Sequence, residues 1–236
     1  MRDIMNSKAR LRRILLTFPF LYILGKYLFE LGLRVPFINY ESGLSDNKIN
    51  DLLFNLEKTI ELKGNIIECG SYLCGTSIIM ANYLIQKKVN KIIYACDSFE
   101  GFDENELKKE REMNLTNASD YAFTITSYDY VKKKIKKLDL ENIIIPLKGF
   151  FIDTLPKIKS DYCLIFIDCD LSESIYYSAH TLWPQLVPKG RIVFDDYVCE
   201  RYNGAKIGID KFVNQYRNQI EKYGIMKNGL FYVIKK

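Results

Sequence analysis

From residue 65 onward the chain alternates short apolar runs with segments of helical periodicity, and this rhythm narrows the fold more than any other feature. Residues 65–69, 91–96, 142–147, 162–168 and 191–194 read as strands, and 77–87, 128–138 and 172–186 as helices. Strands that are apolar throughout, with no in-and-out alternation, are buried on both faces. Helices must therefore cover both sides of a mostly parallel sheet, which makes the chain α/β and doubly wound.

Both ends add detail. Asp46 is a candidate N-cap for a helix over 48–62, whose Ile49, Leu52, Leu53, Leu56 and Ile60 share one face before Gly64 stops it. The turn-rich stretch 39–47 separates a helical extension (1–45) from the main domain (46–236). Near the carboxyl end, 205–223 reads as a helix, and 224–226 and 230–234 as strands joined by Lys227, Asn228 and Gly229. Asn-Gly between two apolar runs signals an antiparallel hairpin. It brings the sheet to seven strands and departs from the simplest dinucleotide-binding fold, which ends in a parallel strand.

Composition removes several classes. The net charge of +5 on 236 residues is mild, and basic clusters such as 131–137 read as solvated helix faces, so no nucleic-acid partner is expected. Six cysteines without a C-x-x-C pair read as reduced core thiols of a cytoplasmic protein. Arg10, Arg12 and Arg13 precede an apolar run, 14–24, that Lys26 interrupts. The run is too short to span a bilayer and no small-residue cleavage site follows it. A helix packed on the domain or on a second subunit of a homo-oligomeric dimer is expected; a basic helix lying peripherally on a membrane surface is the alternative.

In an open parallel sheet, ligands bind beyond the carboxyl ends of the strands. The first strand ends in Glu68-Cys69-Gly70-Ser71-Tyr72-Leu73-Cys74-Gly75-Thr76-Ser77. Gly70 and Gly75 let the backbone approach a ligand, and Glu68 offers a carboxylate to an ammonium group. The second strand ends in Asp97-Ser98, where a carboxylate can accept both hydroxyls of a ribose. The full G-x-G-x-x-G fingerprint is missing, and an acid two residues before the first glycine repels a pyrophosphate while suiting a cationic sulfonium amino acid. S-adenosylmethionine fits both halves, with Glu68, Gly70, Ser71, Gly75, Ser77, Asp97 and Ser98 as the candidate cofactor residues.

Two further strands run into Asp168-Cys169-Asp170 and Asp195-Asp196. Four aspartates at neighbouring strand tips repel one another and are costly to desolvate, so a cation is expected among them. Hard carboxylate ligands with no histidine nearby favour Mg2+. Strand-ending caps and salt bridges are the plainer use of such residues.

At these residues the chain resembles the macrocin O-methyltransferase (TylF-like) family of class I, Rossmann-like methyltransferases. The resemblance runs from about Gly64 to the carboxyl terminus through D-S-F-E-G (97–101), K-G-F-F-I-D-T-L-P (148–156), D-C-D-L-S-E-S (168–174), W-P-Q-L (183–186) and D-D-Y (195–197). It implies that Glu68, Gly70 and Asp97 hold S-adenosylmethionine, that Gly149 and Phe150 line its adenine, and that Asp168, Asp195 and Asp196 bind Mg2+. Cys74, Cys169 and Ser172 depart from the family pattern of Gly, Gly and Tyr at those places, the last on the acceptor side.

The expected reaction is methyl transfer to a hydroxyl of a small-molecule acceptor, a sugar or another polyhydroxylated compound. A non-catalytic adenosylmethionine-binding scaffold subunit is the alternative, resting on Cys169 and Ser172 alone. Asp168 and Asp170 are the candidate catalytic residues. His180, the only histidine, falls mid-helix and reads as a packing or surface residue. Catechol-type enzymes have a lysine three residues after the first metal aspartate, where this chain has Leu171, and the polar stretch 101–121 reads as an active-site lid.

Overall fold

A computed structural model describes residues 41–236. The expected amino-terminal helix, with its packing or membrane role, lies outside the described residues. The elements are α1 (Asp46–Glu57), β1 (Asn65–Cys69), α2 (Gly75–Lys87), β2 (Ile93–Asp97), α3 (Glu104–Glu112), α4 (Tyr128–Lys137), β3 (Ile144–Lys148), α5 (Phe151–Thr154), β4 (Tyr162–Ile167), α6 (Ser172–Leu182), β5 (Leu186–Phe194), α7 (Gly204–Tyr216), β6 (Ile220–Ile225) and β7 (Phe231–Lys235). The seven strands form one sheet in the order β3-β2-β1-β4-β5-β7-β6. Its first five strands run parallel, and β7 is antiparallel to both β5 and β6. The doubly wound α/β reading and the terminal hairpin hold.

β4 is buried at every position, as a central strand covered on both faces must be. One apolar layer joins α1, α2 and α4 to one face of the sheet, and a second joins α6 and α7 to the other, with Trp183 and Phe212 packed edge to face. All five residues expected on the core face of the first helix are buried, four of them in α1 and Ile60 in the turn after it. All six cysteines are free thiols, and every one but Cys199 is fully buried. Among the described residues no helix is long and apolar enough to cross a membrane.

Several boundaries differ from expectation. Ser45 rather than Asp46 caps α1, accepting from the Lys48 amide at 3.3 Å. Pro184 ends α6 early, and β5 begins at Leu186 rather than at residue 191. The helix expected over 205–223 stops at Tyr216, and its last residues belong to β6. β6 is an edge strand, with Glu221, Lys222 and Tyr223 facing solvent, so its sequence lacks the apolar density that marks the central strands. Lys134 also corrects the expected solvated face of α4. It is fully buried, bonded to Glu41 at 2.7 Å and to the Leu73 carbonyl at 2.8 Å.

Candidate active site

A cavity of about 520 Å³ opens at the carboxyl ends of β1, β2, β4 and β5, around the point where the strand order reverses between β1 and β4. The backbone ladder positions its walls. Gly70 N–H donates to the Cys96 carbonyl at 2.9 Å, Asp168 N–H to Cys69 at 2.8 Å, and Asp195 N–H to Ile167 at 3.0 Å. Each loop thus leaves the sheet from a fixed rung. Gly70 has φ +91°, and a Cβ there would collide with the Asp168 carbonyl, so only glycine lets the two loops touch.

On the β1–β2 side, Gly70, Ser71, Gly75, Asp97 and Ser98 line the cavity, with Phe150 opposite. Asp97 is organised by backbone: its Oδ2 accepts from Tyr72 N–H at 2.8 Å and its Oδ1 from Phe99 N–H at 2.7 Å. Burial raises its pKa, and those amide bonds oppose the rise. Ser98 Oγ donates to the Gly101 carbonyl at 2.6 Å and accepts from Glu100 N–H, closing the D-S-F-E-G turn. Gly149 N–H donates to the Asp97 carbonyl at 3.0 Å, tying β3 to β2 from behind the wall.

Glu68 and Ser77 also lie behind the wall, hydrogen-bonded to one another. Glu68 is wholly buried, and burial pushes its pKa up to about 8, against the Ser77 hydroxyl that favours the charged form. Its carboxyl, expected from the sequence to face an ammonium group, bonds the Ser77 hydroxyl beneath the loop.

The β4–β5 side is different in kind. Asp168, Asp195 and Asp196 each present a carboxylate oxygen, and these lie within 4.8 Å of one another. Asp170 lies against Asp196, and all four aspartates line the cavity. The Asp196 Oδ2 atom is buried without a nitrogen or oxygen donor among the described residues. Burial first, then mutual repulsion, lifts the pKa values of Asp168 and Asp170 well above the usual carboxylate range and that of Asp196 to about 6. The Asp195 pKa is also raised by burial, but Lys48 opposes the rise, its ammonium paired with Oδ1. Such a donor set fits one hard divalent cation.

Sequence reasoning missed three contributions. Glu41, Ser42 and Gly43, assigned to the extension, line the cavity, and Ser42 Oγ bonds Thr76 Oγ1 at 2.6 Å. Lys48 reaches Asp195 from α1, far away in sequence, so no local motif announces it. The stretch expected as a lid holds α3, capped by Asp103, and its buried Glu106 and Glu110 dock on the start of α6. Ser172 N–H donates to Glu110 at 2.6 Å and Ser174 N–H to Glu106 at 2.8 Å. α6 has no side-chain cap of its own, so these carboxylates satisfy its open amides. His180 is away from the cavity, stacked on Tyr176 and bonded through Nδ1 to the Tyr216 hydroxyl at 2.7 Å.

Comparison with known proteins bears directly on this arrangement. The family description "Macrocin-O-methyltransferase (TylF)" matches residues 46–228. The chain belongs to the TylF macrocin O-methyltransferase family. It is therefore an O-methyltransferase of the family whose methyl donor is S-adenosylmethionine. A tetracenomycin-type rhamnosyl 4'-O-methyltransferase of Streptomyces olivaceus is 27% identical over 186 residues, 75% of this chain and 67% of the relative. Demethyldecarbamoylnovobiocin O-methyltransferase of Streptomyces niveus is 26% identical over 176 residues, 72% of this chain and 65% of the relative. The chain thus spans about two thirds of the length of these relatives. Among solved structures, the O-methyltransferase NovP superposes with TM-score 0.70 at 22% identity, covering 80% of this chain and 79% of its own. Calicheamicin methyltransferase CalS11 does so with TM-score 0.64 at 16% identity, covering 81% and 80%. Both likenesses establish the fold.

Proposed function

We propose that this chain transfers a methyl group to a hydroxyl oxygen of a sugar or other polyhydroxylated small molecule, with Mg2+ held by Asp168, Asp195 and Asp196. The observation that carries the proposal is the convergence of those three carboxylates on the cavity, one of them with a buried oxygen that lacks a donor. The names of the two Streptomyces relatives support a glycoside acceptor, since one acts on a rhamnosyl group and the other on a novobiocin precursor.

Bound S-adenosylmethionine supplies the electrophilic methyl carbon, and a divalent ion held by the three aspartates would polarise neighbouring acceptor hydroxyls. The protein's work is to place the acceptor oxygen in line with that carbon and to take its proton. Asp97 would receive the ribose hydroxyls, its oxygens already oriented by the Tyr72 and Phe99 amides. Phe150, half-exposed on the cavity wall, would hold the adenine. Asp170, on the same wall beside Asp196, is the residue placed to accept the proton. Phe102 and Phe123, packed edge to face with centroids 5.3 Å apart, give the mouth an apolar side that excludes water.

The test is turnover of a panel of rhamnosides and coumarin-type glycosides, with the product identified by mass spectrometry, before and after chelation. Activity that returns on adding Mg2+ back is expected. Full activity in EDTA would overturn the metal assignment, and methylation confined to nitrogen or carbon would overturn the acceptor class.

A further inference from the structure

The cation that the structure does place at the aspartates is the ammonium of Lys48. We propose that Lys48 is a tethered stand-in for the divalent ion, occupying Asp195 while the site holds no metal and competing with the ion for that carboxylate. This rests on Asp168, Asp195 and Asp196 being the metal ligands.

Geometry puts Lys48 behind the site rather than in it. Its amide is fixed at the start of α1 by Ser45 Oγ, and its aliphatic stem runs past the β6–β7 turn, where an added Cβ on Gly229 would lie 3.9 Å from Lys48 Cε. The ammonium meets Asp195 Oδ1, yet Lys48 is not part of the cavity lining that includes all three aspartates. It touches neither acceptor nor cofactor space, so it acts only through Asp195. Asp196 and Asp168 also attract its charge.

Charge explains why such a residue is useful. Three converging carboxylates repel one another in the metal-free chain, and one ammonium offsets part of that repulsion. It leaves two negative charges, which one divalent ion neutralises. When the ion arrives, the ammonium at Asp195 becomes a like charge a few ångströms away, so it opposes binding and keeps the ion exchangeable. A residue that only anchored α1 would leave metal affinity untouched.

The experiment titrates Mn2+ and Mg2+ into the full chain saturated with S-adenosylhomocysteine, by calorimetry and, for Mn2+, by electron paramagnetic resonance. Lys48→Met, which keeps the length of the stem and loses the charge, and Lys48→Gln, a shorter neutral amide, are compared with Lys48→Arg and with the remote control Lys87→Met. Metal binding about tenfold tighter in both neutral variants, with wild-type affinity in the arginine variant and the control, is expected. Mg2+ should also raise the melting temperature more in the neutral variants than in the wild type. Should Lys48→Met prove unstable without metal, Lys48→Gln, whose amide is polar but uncharged, carries the comparison. Equal or weaker metal binding in the neutral variants overturns the inference and leaves the metal site standing. Absence of metal binding in every protein overturns the site and the inference together.

Discussion

The two halves of the cavity treat their acids in opposite ways. At the tips of β1 and β2 each acid has a donor supplied by the fold: two backbone amides for Asp97 and the Ser77 hydroxyl for Glu68. At the tips of β4 and β5 four aspartates crowd together with one ammonium against Asp195, and repulsion lifts the pKa values of Asp168, Asp170 and Asp196 beyond the effect of burial. An acid held by amides is set to accept hydrogen bonds from neutral hydroxyls, and its geometry exists before the ligand arrives. An acid cluster short of donors stores electrostatic free energy that a cation releases. On the proposed function, the first half would receive the nucleoside and the second the metal.

The broadest effect, reaching both ligands, is expected where the halves touch. Gly70→Ala places a methyl group on the Asp168 carbonyl and forces an L-residue to φ +91°. The left-handed backbone alone costs about 1–2 kcal/mol, and relief of the clash must push the β1 and β4 loops apart. Both S-adenosylhomocysteine binding and metal binding should fall by more than tenfold, measured by calorimetry on protein that still unfolds cooperatively. Loss of one without the other would show that the halves are independent and that Gly70 does not couple them.

Single-half variants should then separate what Gly70 joins. Asp97→Ala removes hydrogen bonds to a charged acceptor, each worth about 1.5–3 kcal/mol, so affinity for S-adenosylhomocysteine should drop at least tenfold with metal binding unchanged. Asp196→Asn should abolish metal binding and lower turnover by two orders of magnitude or more, with cofactor affinity within threefold of wild type. Crossed effects, in which either variant disturbs the other ligand, would contradict the division.

The same division explains what the sequence revealed. The sheet, its hairpin and the acids at the strand tips were legible because each is local: an apolar run, a turn, then a polar residue. Asp97, Asp168, Asp195 and Asp196 all follow that pattern, and the cavity lining contains all of them. Lys48, Glu41 and Glu110 were not legible, because each acts on a residue far along the chain: Asp195, Lys134 and Ser172. A lysine early in a helix, a glutamate in the turn-rich stretch before it and another in a charged helix look like solvated surface until the fold delivers them. The direction in which Glu68 points was not legible for a related reason. Its place in the motif is clear, but whether a side chain at a strand end points into the cavity or beneath it depends on the residue's parity in the pleat, and the alternation is invisible in a strand apolar on both faces.

That position of Glu68 also yields a pH-dependent test of how the cofactor half is held. Burial lifts its pKa from 4.5 to about 8, so the folded chain keeps a proton that the unfolded chain releases. Below about pH 4.5 both states are protonated and the group contributes nothing to pH dependence. Between there and about pH 8 the folded state binds the extra proton, so stability falls as pH rises, at up to about 1.4 kcal/mol per pH unit for one fully titrating group. Glu68→Gln cannot ionise but can still accept from Ser77, so it should lose less stability than wild type between pH 5 and pH 8. The aspartates contribute slope of the same sign in both proteins, so the difference between the two urea-denaturation series isolates Glu68. A glutamine variant whose stability declines as steeply as wild type would mean that Glu68 is ionised in the fold and faces a cation, moving it from the support of the β1 loop into the binding site itself.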